Sequence, residues 1–249
     1  MTEAVEPISI DGARLTGPTV AAQQWQEATF LHWRVAPAAV APLLPPGIRP
    51  DCFDGSSWVG LIAFRLRGAR LGPLPPVPYV GTFTEVNVRL YGIDPRGRRG
   101  VVFRSLEASR LIAVITARVL FSVPYRWART AQDGGDGMIN YRSRRHRTGE
   151  QFELAVRPDL DRIADDDLSA FLTARWALFT ARRGHTLRLP NTHEPWALHP
   201  AAVTGLRDDL VAAAGLPGIT AREPDSVLYS PGVSARFGPP RRVDPVPDR

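Results

Sequence analysis

Val80-Gly-Thr-Phe-Thr-Glu85-Val-Asn-Val-Arg-Leu90-Tyr-Gly-Ile93 is the stretch on which the reading of this chain turns. Its side chains alternate. Val86, Val88 and Leu90 fall on one face of an extended strand and Glu85, Asn87, Arg89 and Tyr91 on the other, about 7 Å apart per step. Asp94 to Gly100 then reads as a hairpin loop into a second strand, Val101 to Ala108. On that strand Ser105 and Glu107 share the face of Phe103, so a polar pair recurs after the hairpin.

Outward from this hairpin the chain continues to read as short strands. Thr29 to Val35 is rich in aromatic and β-branched residues and ends before a proline, and the Asp54-Gly55 turn introduces a strand from Ser57 to Arg67. Pro37 to Leu44 is expected as a short helix, and Gly72 to Pro78, rich in proline, as a loop. A helix is expected over Leu111 to Leu120, and strands over Trp127 to Ala131, Met138 to Arg145 and Gln151 to Arg157. Asp166 to Arg182 reads as a helix with an acidic first turn, stopped by Gly184. The last third gives strands at Thr186 to Leu189, Trp196 to Leu206, Val227 to Tyr229 and Val233 to Phe237, with a short helix at Asp208 to Ala214. After Gly238 a disordered tail is expected over residues 239–249. Many short strands with few helices predict an α+β protein, a single domain built as a mainly antiparallel β-barrel or closed sheet with peripheral helices.

Composition excludes several classes of function. All 31 basic residues are arginine and there is no lysine, so neither a Schiff-base lysine nor a lysine-bound pyridoxal cofactor has an attachment point. The net charge of +6 goes with abundant Ala, Gly and Pro, as GC-rich coding would produce. The densest arginine clusters, Arg96 to Arg99 and Arg142 to Arg147, lie beside turn residues, and no nucleic-acid-binding signature accompanies them. No nucleic-acid or membrane partner is therefore expected. One cysteine, Cys52, allows no internal disulfide, which with the absence of an apolar leader leads us to expect a cytoplasmic protein.

The row on the Val80 to Ile93 strand carries the candidate chemistry. In a barrel lumen, Arg89 would bind a carboxylate or enolate bidentately and Glu85 would act as acid or base. Asn87, Tyr91, Ser105 and Glu107 would line the same space as substrate-binding groups. The same alternation also describes the solvated face of an antiparallel strand, which is the commoner arrangement. His32 and His193 are further candidates, as substrate-binding groups or as a base with its orienter. Their spacing matches no metal motif, and no metal or other cofactor is expected. Gly134-Gly135-Asp136-Gly137 neither follows a strong strand nor opens a helix, so it is no phosphate loop, and Ser105 lacks the setting of a hydrolase elbow.

Several stretches together resemble one family, the YqjF-like proteins carrying domain of unknown function 2071, in the acetoacetate decarboxylase-like superfamily. They are Phe30-Leu-His-Trp33, Leu44-Pro-Pro-Gly47, Phe53-Asp-Gly-Ser-Ser-Trp58, Phe83 to Tyr91, Gly100 to Leu106, Pro124-Tyr125, Phe171-Leu-Thr-Ala-Arg175, His193-Glu-Pro-Trp196 and Tyr229-Ser-Pro-Gly-Val233. The resemblance implies a cone-shaped antiparallel barrel around a central cavity, in a homo-oligomer, and makes the Glu85 to Tyr91 row a lumen wall. Acetoacetate decarboxylase itself uses a Schiff-base lysine kept neutral by a second lysine, and this chain has neither. The implied function is therefore acid–base chemistry on a keto-acid or polyketide-like substrate (isomerisation, cyclisation or dehydration). The alternative is a noncatalytic barrel that binds a carboxylate.

Overall fold

The computed structural model describes residues 4–75, 81–111 and 122–243. Five long strands form its central sheet. They are β1 (Ala21–Val35), β3 (Ser57–Leu71), β4 (Phe83–Ile93), β5 (Arg99–Ala108) and β12 (Ser226–Phe237), hydrogen-bonded in the order β12-β1-β3-β4-β5. Every pairing within this sheet is antiparallel. The two-residue β2 (Arg49–Pro50) flanks β4.

At each edge the sheet forks, and the fork closes it twice. The first half of β5 runs parallel to β9 (Ala177–Arg182), which pairs with β10 (His185–Thr192), and β10 reaches Arg236 and Phe237 of β12. The second half of β5 runs parallel to β6 (Tyr125–Gly135), followed by β7 (Met138–Arg145), β8 (Gln151–Pro158) and β11 (His199–Asp208), which reaches Leu228 and Tyr229 of β12. The second circuit contains nine strands. Both closures share the central sheet, so each of its faces looks into an interior, and all eleven residues of β4 are buried. Val86, Val88 and Leu90 pack with Tyr141, Phe152, Leu154 and Val156 in one lobe, while Tyr91 packs with Phe30, Ile62, Phe171 and Leu178 in the other.

Helices are few and short. α1 (Pro37–Val40) continues as a 3-10 turn over Ala41–Leu43, as expected for a helix opened by proline. α2 (Asp167–Thr173) is capped by the Asp166 carboxylate, which accepts from Ser169 N at 2.9 Å. α3 (Leu210–Ala213) is a single turn.

The expected helix over Asp166 to Arg182 is corrected: it ends at Thr173, and Ala177–Arg182 is β9. Leu178 and Phe179 gain parallel partners on β5 and antiparallel ones on β10, and this pairing overrides the helical pattern. Arg183 and Gly184 both have positive φ, 48° and 78°, and form the two-residue hairpin turn into β10 rather than a helix stop. The two expected C-terminal strands are one, β12. Within the expected tail, Arg241–Arg242 form β13 against Leu187 and Arg188, and Val243 is buried. The expected helix over Leu111 to Leu120 lies almost wholly outside the described residues. No helix among the described residues is long and apolar enough to cross a membrane.

Candidate functional site

The lobe closed by β9 and β10 contains a cavity of about 420 Å³. Its walls are mostly apolar, with Phe30, Phe64, Phe83 and Phe103 among them, and its polar side chains come chiefly from the strand row and from the α2–β10 region. Glu85, Asn87 and Arg89 line it in register along β4. The solvated-face alternative is thereby corrected: the three residues are 2%, 3% and 9% exposed because β9 and β10 close over that side.

Arg89 is held from behind. Its Nε donates to Tyr91 Oη at 3.0 Å and its Nη2 to the Leu172 carbonyl at 2.9 Å. The Tyr91 hydroxyl donates to that carbonyl at 3.0 Å, so it accepts from Arg89 and from His32 Nε2, 2.8 Å away. His32 is then the Nε2–H tautomer, which leaves its buried Nδ1 without a partner. Burial, with Arg89 and Arg175 nearby, holds its pKa well below the usual histidine value and keeps it neutral. Gly60 makes this close approach possible, since a Cβ there would lie 3.1 Å from His32 and 3.2 Å from Arg89 Cγ. His32 and Tyr91 therefore stand behind the wall, where they orient Arg89, and neither lines the cavity as a substrate-binding group.

No carboxylate among the described residues lies within ion-pairing distance of Arg89. Its neighbour Arg175, which sequence reasoning did not single out as a functional group, does have one. Arg175 Nη1 donates to Asp51 Oδ2 at 2.5 Å, its Nε donates to the Phe171 carbonyl at 2.8 Å, and its buried Nη2 has no partner. Asp51 also binds Arg99. Arg175 lies over the Phe171 ring at 4.3 Å and also lines the cavity. Its only sequence signal was its place in the Phe171 to Arg175 stretch of the family resemblance.

Glu85 occupies a different setting farther along β4. Tyr125 donates to its Oε2 at 2.7 Å and Asn87 Nδ2 to its Oε1 at 3.3 Å. Burial raises its pKa from 4.5 to about 7. The two hydrogen bonds oppose that rise, and the charge of Glu107 across the sheet adds to it. Burial and the Glu85 charge together hold the Tyr125 hydroxyl well above its ordinary pKa, so it remains a donor. The Glu85 proton affinity is higher folded than unfolded, so stability falls as pH rises from about 4.5 through about 7. The fall attributable to Glu85 is on the order of 3 kcal/mol. Denaturant melts of Glu85→Gln across that range are expected to show a correspondingly flatter profile, and a profile identical to wild type would refute the assignment.

Ser105 and Glu107 are corrected. A β-bulge between Val88 and Arg89 changes the register, so Arg89 faces Phe103 while Val88 faces Ser105 and Val86 faces Glu107. One inserted residue sends both polar side chains to the opposite lobe, where Arg145 binds Glu107 with Nη2 to Oε1 at 2.7 Å. His193 does line the cavity. Burial lowers its pKa, its Nδ1 lies 2.6 Å from the Glu194 carbonyl, and its ring packs against Trp25, Trp176 and Trp196. No group of three or more metal-ligating side chains occurs among the described residues.

Fold and cavity together define the class: this is an acetoacetate decarboxylase-like barrel. Over 92% of this chain and 90% of the other, the structure superposes on acetoacetate decarboxylase with a TM-score of 0.64 at 11% sequence identity. An acetoacetate decarboxylase-like enzyme of Sphingomonas wittichii RW1 gives 0.63 at 15% identity, covering 94% of this chain and all of the other. The enduracididine biosynthesis enzyme MppR, solved with pyruvate, gives 0.62 at 15% identity and 93% coverage of both chains. Within that class the chain belongs to the DUF2071 family, described as an uncharacterized conserved protein, whose model matches residues 22–234. It is 31% identical to the uncharacterized protein YqjF of Bacillus subtilis (strain 168) over 210 residues, 83% of this chain and 85% of YqjF.

Proposed function

We propose that the protein is a small-molecule enzyme that moves a proton on an oxo acid without forming a covalent intermediate. The observation that carries this reading is a buried guanidinium without a carboxylate partner among the described residues, Arg89, in the same cavity as a buried carboxyl whose pKa is raised to about 7, Glu85. The cation supplies an anion site, and the partnerless Arg175 Nη2 adds a donor beside it. Near pH 7 Glu85 exists in both protonation states, which suits a group that takes a proton and returns it.

In the proposed reaction the Glu85 carboxylate removes a proton from a carbon conjugated with the substrate carbonyl, and the electron pair of the C–H bond delocalises into an enolate. Asn87 and the Tyr125 hydroxyl hold Glu85 in place. The protonated Glu85 then returns the proton to another carbon, completing an isomerisation, or to a leaving hydroxyl, completing a dehydration. No oxidant is consumed. With no lysine in the chain, the Schiff-base route is closed to it. The pyruvate in MppR supports an oxo acid as the substrate class.

The test is deuterium incorporation into oxo acids in heavy water, followed by mass spectrometry. Wild-type protein is expected to catalyse incorporation and Glu85→Gln to lose about 10²- to 10⁴-fold of the rate. Equal rates for the two proteins would overturn the assignment. A second reading, a binding protein without catalysis, is favoured by the fact that both Glu85 oxygens already accept hydrogen bonds. It predicts saturable binding of an oxo acid with no incorporation.

A further inference from the structure

The cavity is much longer than its polar end. Its β3 wall runs from Ile62 to Leu71, nine residue steps or roughly 30 Å along the curved strand. Arg89, opposite Gly60, stands at one end with Arg175, both guanidinium groups lying over the Tyr91 ring. Phe64 stands opposite Glu85, beyond it the wall is supplied by Leu66, Phe83 and Ala69, and Leu71 and Leu74 at the far end are exposed apolar side chains. The polar exceptions at that end are Gln23 and the exposed Arg70.

Two features of this layout bear on what fits. A volume of about 420 Å³ falls in the range of roughly 300–1,000 Å³ that encloses drug-sized ligands, so a three-carbon acid would leave most of it unfilled. Glu85 and Arg89 are four residues apart, about 13 Å between Cα positions, and the Arg89 guanidinium leans toward Tyr91, away from Glu85. A ligand held by its carboxylate on Arg89 and meeting Glu85 with a carbon has several bonds between the two.

We infer that the site takes an amphipathic carboxylate, with its head on Arg89 and an apolar chain or ring system running past Glu85 toward Leu71 and Leu74. This rests on the proposed anion site at Arg89 and adds the substrate class. It separates the ligand from short 2-oxo acids, whose acidic carbon, C3, stands only two bonds from the carboxylate carbon.

Calorimetric titration of the full chain with acetate, hexanoate and decanoate tests it without requiring turnover. Affinity is expected to rise about fourfold per added methylene, the fold-change equivalent to ~0.8 kcal/mol per buried CH₂. Phe64→Trp, which narrows the passage opposite Glu85 at the depth a ten-carbon chain reaches, is expected to weaken decanoate at least tenfold and leave acetate unchanged. Affinity independent of chain length, or a Phe64→Trp protein that binds decanoate as wild type does, would overturn the inference. The outcomes are separable from those of the reaction. Chain-length-dependent binding with no deuterium incorporation defeats only the proposed chemistry, and incorporation into short acids with flat chain-length dependence defeats only the amphipathic ligand.

Discussion

Arg89→Met is expected to weaken binding of an anionic ligand by about 2–5 kcal/mol, at least 30-fold, while leaving the melting temperature unchanged or raised. The two halves of this expectation come from one fact. A buried cation with no carboxylate partner among the described residues lowers the stability of the free protein, because its desolvation is not offset by an ion pair there. Methionine has similar length and removes the charge. The groups Arg89 leaves behind stay satisfied, since the Leu172 carbonyl still accepts from Tyr91 and Tyr91 still accepts from His32. Calorimetry and a thermal melt on the same preparation check both parts. A protein that melts lower and binds as before would mark Arg89 as structural.

Asp51→Asn carries the second large effect, on stability. Asp51 is 1% exposed and is shared by Arg99 and Arg175, and the Arg175 side chain is only 2% exposed. Removing the carboxylate charge leaves Arg175 as a buried cation without a counter-ion, a change that costs about 3–5 kcal/mol. For a chain of this size that is a fall of roughly 6–20 °C in melting temperature. The double variant Asp51→Asn with Arg175→Met removes the stranded charge as well and is expected to recover part of the loss. A single variant that melts with the wild type would show that the pair adds nothing.

Asp51 and Arg89 thus hold opposite places in the electrostatics of one cavity. Asp51 neutralises the Arg175 guanidinium, and in the proposed function Arg89 is left for a ligand. Buried groups that cost stability where a ligand would relieve them are the expected signature of a site kept for function.

The β4 alternation was legible in the sequence because a period of two is the strongest local signal a strand carries, and it sorted Val86, Val88 and Leu90 from Glu85, Asn87 and Arg89 correctly. Local pattern could not show that both faces are covered, since that depends on forks in β5 and β12 that pair Val101 with Leu178 and Phe237 with Asn191, residues far apart in the chain. The family resemblance supplied the lumen. Ser105 and Glu107 were misplaced because a bulge shifts register by one residue and leaves no mark in composition. His32 was a sound candidate for the region, yet its ring sits behind Arg89, a depth that sequence spacing does not encode. Arg175 and Asp51 are 124 residues apart, and only the folded chain makes them a pair.

A crystal structure of the protein grown with a long-chain carboxylate such as hexadecanoate tests the central claim most directly, that Arg89 is an anion anchor inside a cavity it shares with Glu85. The account predicts the ligand carboxylate within hydrogen-bonding distance of Arg89 and its chain passing Glu85 toward Leu71. A ligand bound elsewhere, or a carboxylate lying at the far end with Arg89 untouched, would contradict it.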